Sequence, residues 1–179
     1  KVWQMACRLE DIPDPGDFVE YEICDNSILV IRQPDMSIKA LHNACRHRAT
    51  QLCKGQGRLG GGQIVCPFHG WRWNTDGTNS FVYGREGFDE ACLQPQDINL
   101  QECLVDTWGA CVWINMDSNA APLHEWLGAA GTRLDQTWVD KLRIWYWKET
   151  IVEANWKMAQ EAFEEGWHVM ASHPQLTMG

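Results

Sequence analysis

The sequence is short of positive charge. It carries 15 Lys and Arg against 24 Asp and Glu, a formal balance of −9 over 179 residues. Nucleic-acid binding calls for basic stripes, so this deficit argues against that class of partner. Long hydrophobic runs are missing: nothing approaches the roughly 18 apolar residues of a membrane span. The first residues do not read as a secretory signal. A start at Lys1 without Met reads as a trimmed chain, in which any native leader would go unseen. No internal repeat or low-complexity segment stands out. The Gly-rich stretch Gly55 to Gly62 lacks the Gly-Lys-Ser/Thr ending of a phosphate loop and reads as a connector.

What is present is globular: 45% hydrophobic and 22% charged residues, enough for one ordinary domain and a piece of a second. Eleven Trp is a high count, and each one taken singly reads as core filling. Eight Cys could mean disulfides. A chain of this length can bury its own core without so many staples. Without a secretory signal, a cytoplasmic setting with reduced thiols is expected, which favours metal binding for any Cys near a His.

The pattern from Phe18 to about Asn43 predicts a β-meander. Phe18–Ile23 alternates, Ile28–Ile31 is a compact apolar run, and turns fall at Asp25-Asn26-Ser27 and Pro34-Asp35-Met36-Ser37. Ile64-Val65 and Trp71-Arg72-Trp73 read as further strands, Asn74-Thr75-Asp76-Gly77 as a hairpin turn, and Trp108–Asn115 as one more strand. Pro122–Leu127 suggests a short helix, Leu142–Val152 a strand, and Asn155 to about Ala171 a helix with Trp156, Ala159, Phe163, Trp167 and Met170 at helical spacing.

Two short strings carry chemistry. Cys45-Arg46-His47 and Cys66-Pro67-Phe68-His69 each offer one thiol and one imidazole on neighbouring hairpins, with eighteen residues between His47 and Cys66. Spacing alone is weak evidence, since eight Cys and six His meet such offsets by chance fairly often. Local context adds specificity: small and rigid residues flank the second pair in Cys66-Pro67-Phe68-His69-Gly70-Trp71. A Cys₂His₂ zinc site is the competing reading, although zinc sites usually place Cys with Cys.

These strings resemble the Rieske domain of ring-hydroxylating and related Rieske oxygenases, with Ala40-Leu41-His42-Asn43-Ala44 similar to the strand leading into the first loop. The resemblance implies a [2Fe–2S] cluster in which Cys45 and Cys66 ligate one iron and His47 and His69 the other. Such a centre has a higher reduction potential than an all-Cys cluster. The sequence departs from the family at Arg46, where Pro is usual, and at Ala49, where Gly is usual. Cys53 lacks the partner that cytochrome-complex Rieske proteins provide for a disulfide and is expected to be a buried thiol.

The second string runs from Asn155-Trp156-Lys157 to Glu165-Gly166-Trp167-His168 and His173-Pro174. Taken alone, His-x₄-His is weak. Pro174 disfavours helical geometry at His173, so the helix should deform or end there and let both imidazoles face one metal. Two His and a carboxylate on one face form the non-haem Fe(II) triad. The string is similar to the start of the Rieske oxygenase catalytic domain. By that resemblance His168 and His173 ligate a mononuclear Fe(II). Glu165 is then the acid that links this iron to the Rieske cluster of a neighbouring subunit, with Glu164 a lesser candidate. Many members have Asp at that position, whereas choline- and carnitine-type members have Glu. Trp167 and Ala162 stand where Tyr and Asn are common, and the family's third iron ligand lies further downstream.

The resemblance therefore implies an α+β chain: an all-β Rieske domain over residues 1–135, then the start of a mixed α/β, helix-grip-like catalytic domain over 136–179. The expected protein is the terminal oxygenase component of a multicomponent system. It takes electrons from NAD(P)H through a reductase or ferredoxin, activates dioxygen, and hydroxylates, dihydroxylates or demethylates an aromatic or hydrophobic substrate. A homotrimer is implied, with a small subunit as an option. The alternative is a Rieske ferredoxin that carries electrons only.

Overall fold

The computed structural model describes residues 2–176; Lys1 and residues 177–179, where the second expected domain ends, lie outside the described residues. The chain divides into two compact units, one up to Leu142 and the other from Arg143.

The first unit is built on strands β1 (Gln4–Arg8), β2 (Asp17–Ile23), β3 (Asn26–Arg32), β4 (Ile38–His42), β5 (Gln56–Arg58), β6 (Gln63–Val65), β7 (Arg72–Asn74), β8 (Asn79–Phe81), β9 (Glu102–Trp108) and β10 (Cys111–Asn115). A single turn α1 (Pro95–Ile98) lies between β8 and β9, and α2 (Leu123–Asp135), interrupted at Gly128, follows β10. Seven strands form an antiparallel sheet in the order β1-β10-β9-β4-β3-β2-β5, and β6-β7-β8 form a smaller one.

The meander appears as expected, and β3 shows why its apolar run is continuous. Ile28, Leu29, Val30 and Ile31 are all fully buried because the strand is covered on both faces. Leu29 and Ile31 point into one core, with Leu41, Ile64, Trp71, Trp73 and the Cys45 and Cys66 thiols. Ile28 and Val30 point into the other, with Cys7, Ala40, Val112 and Ile114. At roughly 25 cal/mol per Å² of apolar surface, these two layers supply most of the drive to fold.

Several expectations need correction. The Gly-rich connector contains edge strand β5, because β2 offers it a free ladder and Gly57 lies across from Phe18. Trp108–Asn115 is two strands: Gly109 (φ 63°) and Ala110 (φ 59°) form a two-residue left-handed turn that folds β10 back on β9. β1, unforeseen in the sequence, forms by pairing with β10. Cys53 is half-buried rather than buried. Only Trp3, Trp71 and Trp73 belong to the buried core, while Trp126, Trp138, Trp145, Trp147, Trp156 and Trp167 are exposed. A Trp is buried only where an opposing layer exists.

The second unit contains α3 (Trp156–Glu164) and α4 (Val169–Ser172). No strand forms over 142–152 among the described residues, since a strand requires a partner ladder. The single helix expected over 155–171 is broken. Glu165 leaves helical geometry (φ −132°, ψ 155°), and Gly166, a poor helix former, follows it. Asn155 caps α3 by accepting from the Lys157 N–H at 3.0 Å. The chain again leaves helical geometry at His173 (φ −132°, ψ 54°), before Pro174, as expected.

No helix is long and apolar enough to cross a membrane among the described residues. All eight Cys are free thiols.

Candidate metal centre

Two tight loops carry the first four candidate ligands. The first follows β4 and is closed at its neck by the isolated bridge Ala44–Gln51. The second joins β6 to β7. Both use one backbone device. The Cys45 N–H donates to the Thr50 carbonyl (2.8 Å), and the Cys45 carbonyl accepts from the Ala49 N–H (2.8 Å). In the second loop the Cys66 N–H donates to Trp71 (2.8 Å) and its carbonyl accepts from Gly70 (3.0 Å). The fifth residue of each turn is left-handed, Ala49 at φ 56° and Gly70 at φ 71°.

This folding brings the loop contents together. The Nδ1 atoms of His47 and His69 are 3.1 Å apart. At that separation both reach one ion at imidazole–metal distances of about 2.0–2.1 Å. Cys45 and Cys66 are buried, at 4% and 2% exposure, and their thiols touch. Burial, then the Cys66 thiol, hold the Cys45 thiol above its ordinary value against the opposing pull of the His47 backbone N–H. Burial, then His69 and Arg48, hold His47 below the usual imidazole value, which keeps it neutral and ready to ligate.

Among the described residues, no three His, Cys, Asp or Glu side chains converge on a point that one ion could occupy. The two cysteines are buried and the two histidines partly exposed, so sulfur lies inside and imidazole outside. That donor set fits a two-iron cluster.

Trp71 is the functional neighbour that the sequence does not single out. Its ring stacks on His47 (centroids 5.3 Å, interplanar angle 9°), with Phe88 edge-on to both rings. Its place in Cys66-Pro67-Phe68-His69-Gly70-Trp71 was the available signal. Phe68 is exposed at the tip of the second loop and packs on His69 (4.0 Å). The imidazoles, partly exposed, form the outward edge of the site.

In the second unit Glu165, His168 and His173 are brought close. The Glu165 carboxylate accepts from His168 Nδ1 and from the backbone N–H of Trp167 and His168. The bond from His168 holds Glu165 below the usual carboxylate range. An ionised carboxylate only accepts, so His168 Nδ1 is the donor in this pair. The rings of His168 and His173 lie 5.5 Å apart, edge to face. Glu164 contacts Gln160 instead, one turn back on α3.

The family model described as "Rieske [2Fe-2S] domain" matches residues 2–82, the stretch that holds both ligand loops. Over nearly its whole length the chain is similar to alpha subunits of Rieske oxygenases. It is 29% identical to the 2-aminobenzenesulfonate 2,3-dioxygenase subunit alpha of Alcaligenes sp., covering 94% of this chain and 43% of that one. It is also 29% identical to the glycine betaine monooxygenase oxygenase subunit of Pseudomonas aeruginosa, covering 98% and 40%. Among solved structures, the quaternary ammonium Rieske monooxygenase CntA in complex with L-carnitine matches with a TM-score of 0.88 at 25% identity, over 99% of this chain and 50% of that one. The chain thus spans half or less of the length of these relatives.

Proposed function

We propose that the protein is the terminal oxygenase component of a multicomponent Rieske oxygenase, with a Rieske domain over 1–135 and a mononuclear-iron catalytic domain beginning at 136. The observation that carries this reading is the two-and-two arrangement of Cys45, Cys66, His47 and His69, with the imidazole nitrogens 3.1 Å apart. When bound, a [2Fe–2S] cluster supplies one-electron storage and a mononuclear Fe(II) supplies dioxygen activation.

This chain's residues do the positioning. Buried Cys45 and Cys66 hold the inner side of the cluster site. His47, backed by Trp71, and His69 form its outer edge. Glu165 orients the His168 ring through Nδ1, and His168 and His173 would hold two of the catalytic iron's positions. The third ligand comes from elsewhere in the full-length protein. Glu165 is also the link to a Rieske histidine of a neighbouring subunit, which makes the working assembly a homotrimer, with or without a small subunit. The partners are dioxygen, a reductase or ferredoxin fed by NAD(P)H, and a small organic substrate. The free thiols suit a cytoplasmic setting.

The aromatic substrate expected from the sequence is one of two classes that the relatives' names offer. Glu165, shared with choline- and carnitine-type members, favours the other, a quaternary ammonium compound. The electron-carrier alternative leaves residues 143–176 without a use.

Anaerobically purified full-length protein is expected to be red-brown and to contain acid-labile sulfide and iron beyond that of the cluster. Absence of both iron and sulfide overturns the reading. Glu165→Ala is expected to abolish substrate oxidation with both metal sites still filled. Normal turnover in that variant would place the link elsewhere.

A further inference from the structure

The first ligand loop has no sheet to hold it. The second is spanned by the β6–β7 hairpin, whereas residues 44–52 are tied across their neck by one isolated bridge. Two side chains complete the job. Asn43, 3% exposed, stands at the loop's entrance. Its Oδ1 accepts from the backbone N–H of Leu52 (3.1 Å) and Cys53 (3.0 Å) at the exit. Its Nδ2 donates to the Cys53 carbonyl (2.8 Å), Ser27 Oγ (2.9 Å) and Glu20 Oε1 (3.3 Å). The two backbone donors settle which way the amide faces.

Glu20, on β2, extends the clamp. Its Oε1 also accepts from Ser27 Oγ (2.7 Å) and Gln51 Nε2, and its Oε2 from the Gly55 N–H (2.8 Å). Entrance and exit are thus pinned by the same two side chains, and Cys45 and His47 lie between them. Closing such a loop costs entropy, and hydrogen bonds already made in the protein spare the incoming cluster that cost.

We propose that Asn43, backed by Glu20, is the positioning residue that presets Cys45 and His47 for cluster insertion. The inference rests on the cluster reading above, and its failure is separable: that reading fails if the wild-type protein holds no iron and sulfide, this one if the wild type is loaded and the variants load equally well.

The test uses the full-length protein, reconstituted with limiting iron and sulfide, with the reduced-state EPR spectrum and amide exchange of Leu52 and Cys53 as readouts. Asn43→Ala is expected to weaken cluster retention by about 10–100-fold, the usual effect of losing a group that orients metal ligands. It should also broaden the spectrum and speed exchange at both amides by about tenfold, the effect of one lost hydrogen bond. Gln33→Ala serves as the control. Gln33 is equally buried and bonded to Thr75 (2.8 and 2.9 Å), remote from the loop. It should lower stability with cluster retention unchanged.

Asn43→Asp sets a second carboxylate against Glu20 and should also lose cluster. Adding Glu20→Gln restores a donor facing that carboxylate and should recover part of the loss. Full retention with an unaltered spectrum in Asn43→Ala overturns the proposal. Equal loss in Gln33→Ala does so as well, because it reduces the effect to general stability. Should Asn43→Ala not fold, wild-type retention in Asn43→Asp overturns it. Absence of rescue removes Glu20 from the device.

Discussion

The two ligand loops of this protein share one backbone design and are stabilised in opposite ways. In each, the cysteine N–H and carbonyl close the turn, and a left-handed residue completes it. The second loop meets that requirement with Gly70, where an added Cβ would find open space. The first meets it with Ala49, which pays the conformational penalty of an L-residue at positive φ. The second is anchored by a sheet and carries Trp71 as a wall for the imidazole opposite. The first depends on the side chains of buried Asn43 and half-buried Glu20. An identical turn can therefore rest on backbone pairing in one place and on polar side chains in another.

The largest expected effect removes the feature common to both loops. Cys45→Ser and Cys66→Ser should each abolish the cluster, seen as loss of acid-labile sulfide and of visible absorption. His47→Cys and His69→Cys should instead retain it. The reduction potential should fall toward the all-Cys range, a drop on the order of a few hundred mV. Potentiometry and reduced-state EPR check this, and an unchanged spectrum in His47→Cys takes that residue off the ligand set.

A smaller effect separates the loops by pH. Burial raises the pKa of Glu20, but hydrogen bonds from Ser27, Gly55, Gln51 and Asn43 outweigh it and leave the group below its ordinary 4.5. A carboxylate so lowered contributes stability that is present above the unfolded value and lost as pH falls through the folded one. Acidification below about pH 4 should thus loosen the first loop before the second. Amide exchange at Leu52 and Cys53 against Gly70 is the measurement. If the two loops open together in the wild type, the difference drawn between them fails. In Glu20→Gln the pH dependence should vanish.

The smallest effect exchanges the left-handed residues. Ala49→Gly should stabilise by under about 1 kcal/mol, and Gly70→Ala should cost about 1 kcal/mol through backbone strain alone. Thermal melts of the two variants test the symmetry. Equal and same-signed shifts would show that the turns are not equivalent.

Much of the fold was legible in the sequence. Alternation and turn residues marked β2, β3 and β4, and the ligand strings stood out by composition. What escaped depended on partners. The run Leu142–Val152 alternates like a strand, yet alternation only states that one face could be buried. The eleven Trp were read alike, while burial followed from whether a layer lay opposite. The Gly109–Ala110 turn was hidden inside what read as one strand, because Ala gives no hint of positive φ. Asn43 and Glu20 are ordinary polar residues until β2, β3 and the first loop are brought together.

The chain by itself determined which atoms can bind metal, and where each pair sits in its loop, since both are matters of residue type and local turn chemistry. Only the packing of the small sheet and the first loop against the seven-stranded sheet decided that His47 meets His69, and that Trp71 faces one imidazole rather than solvent. Residues 22 positions apart carry no local signal of their separation in space; that distance is set by the burial of Leu29, Ile31, Leu41 and Trp73 between the layers.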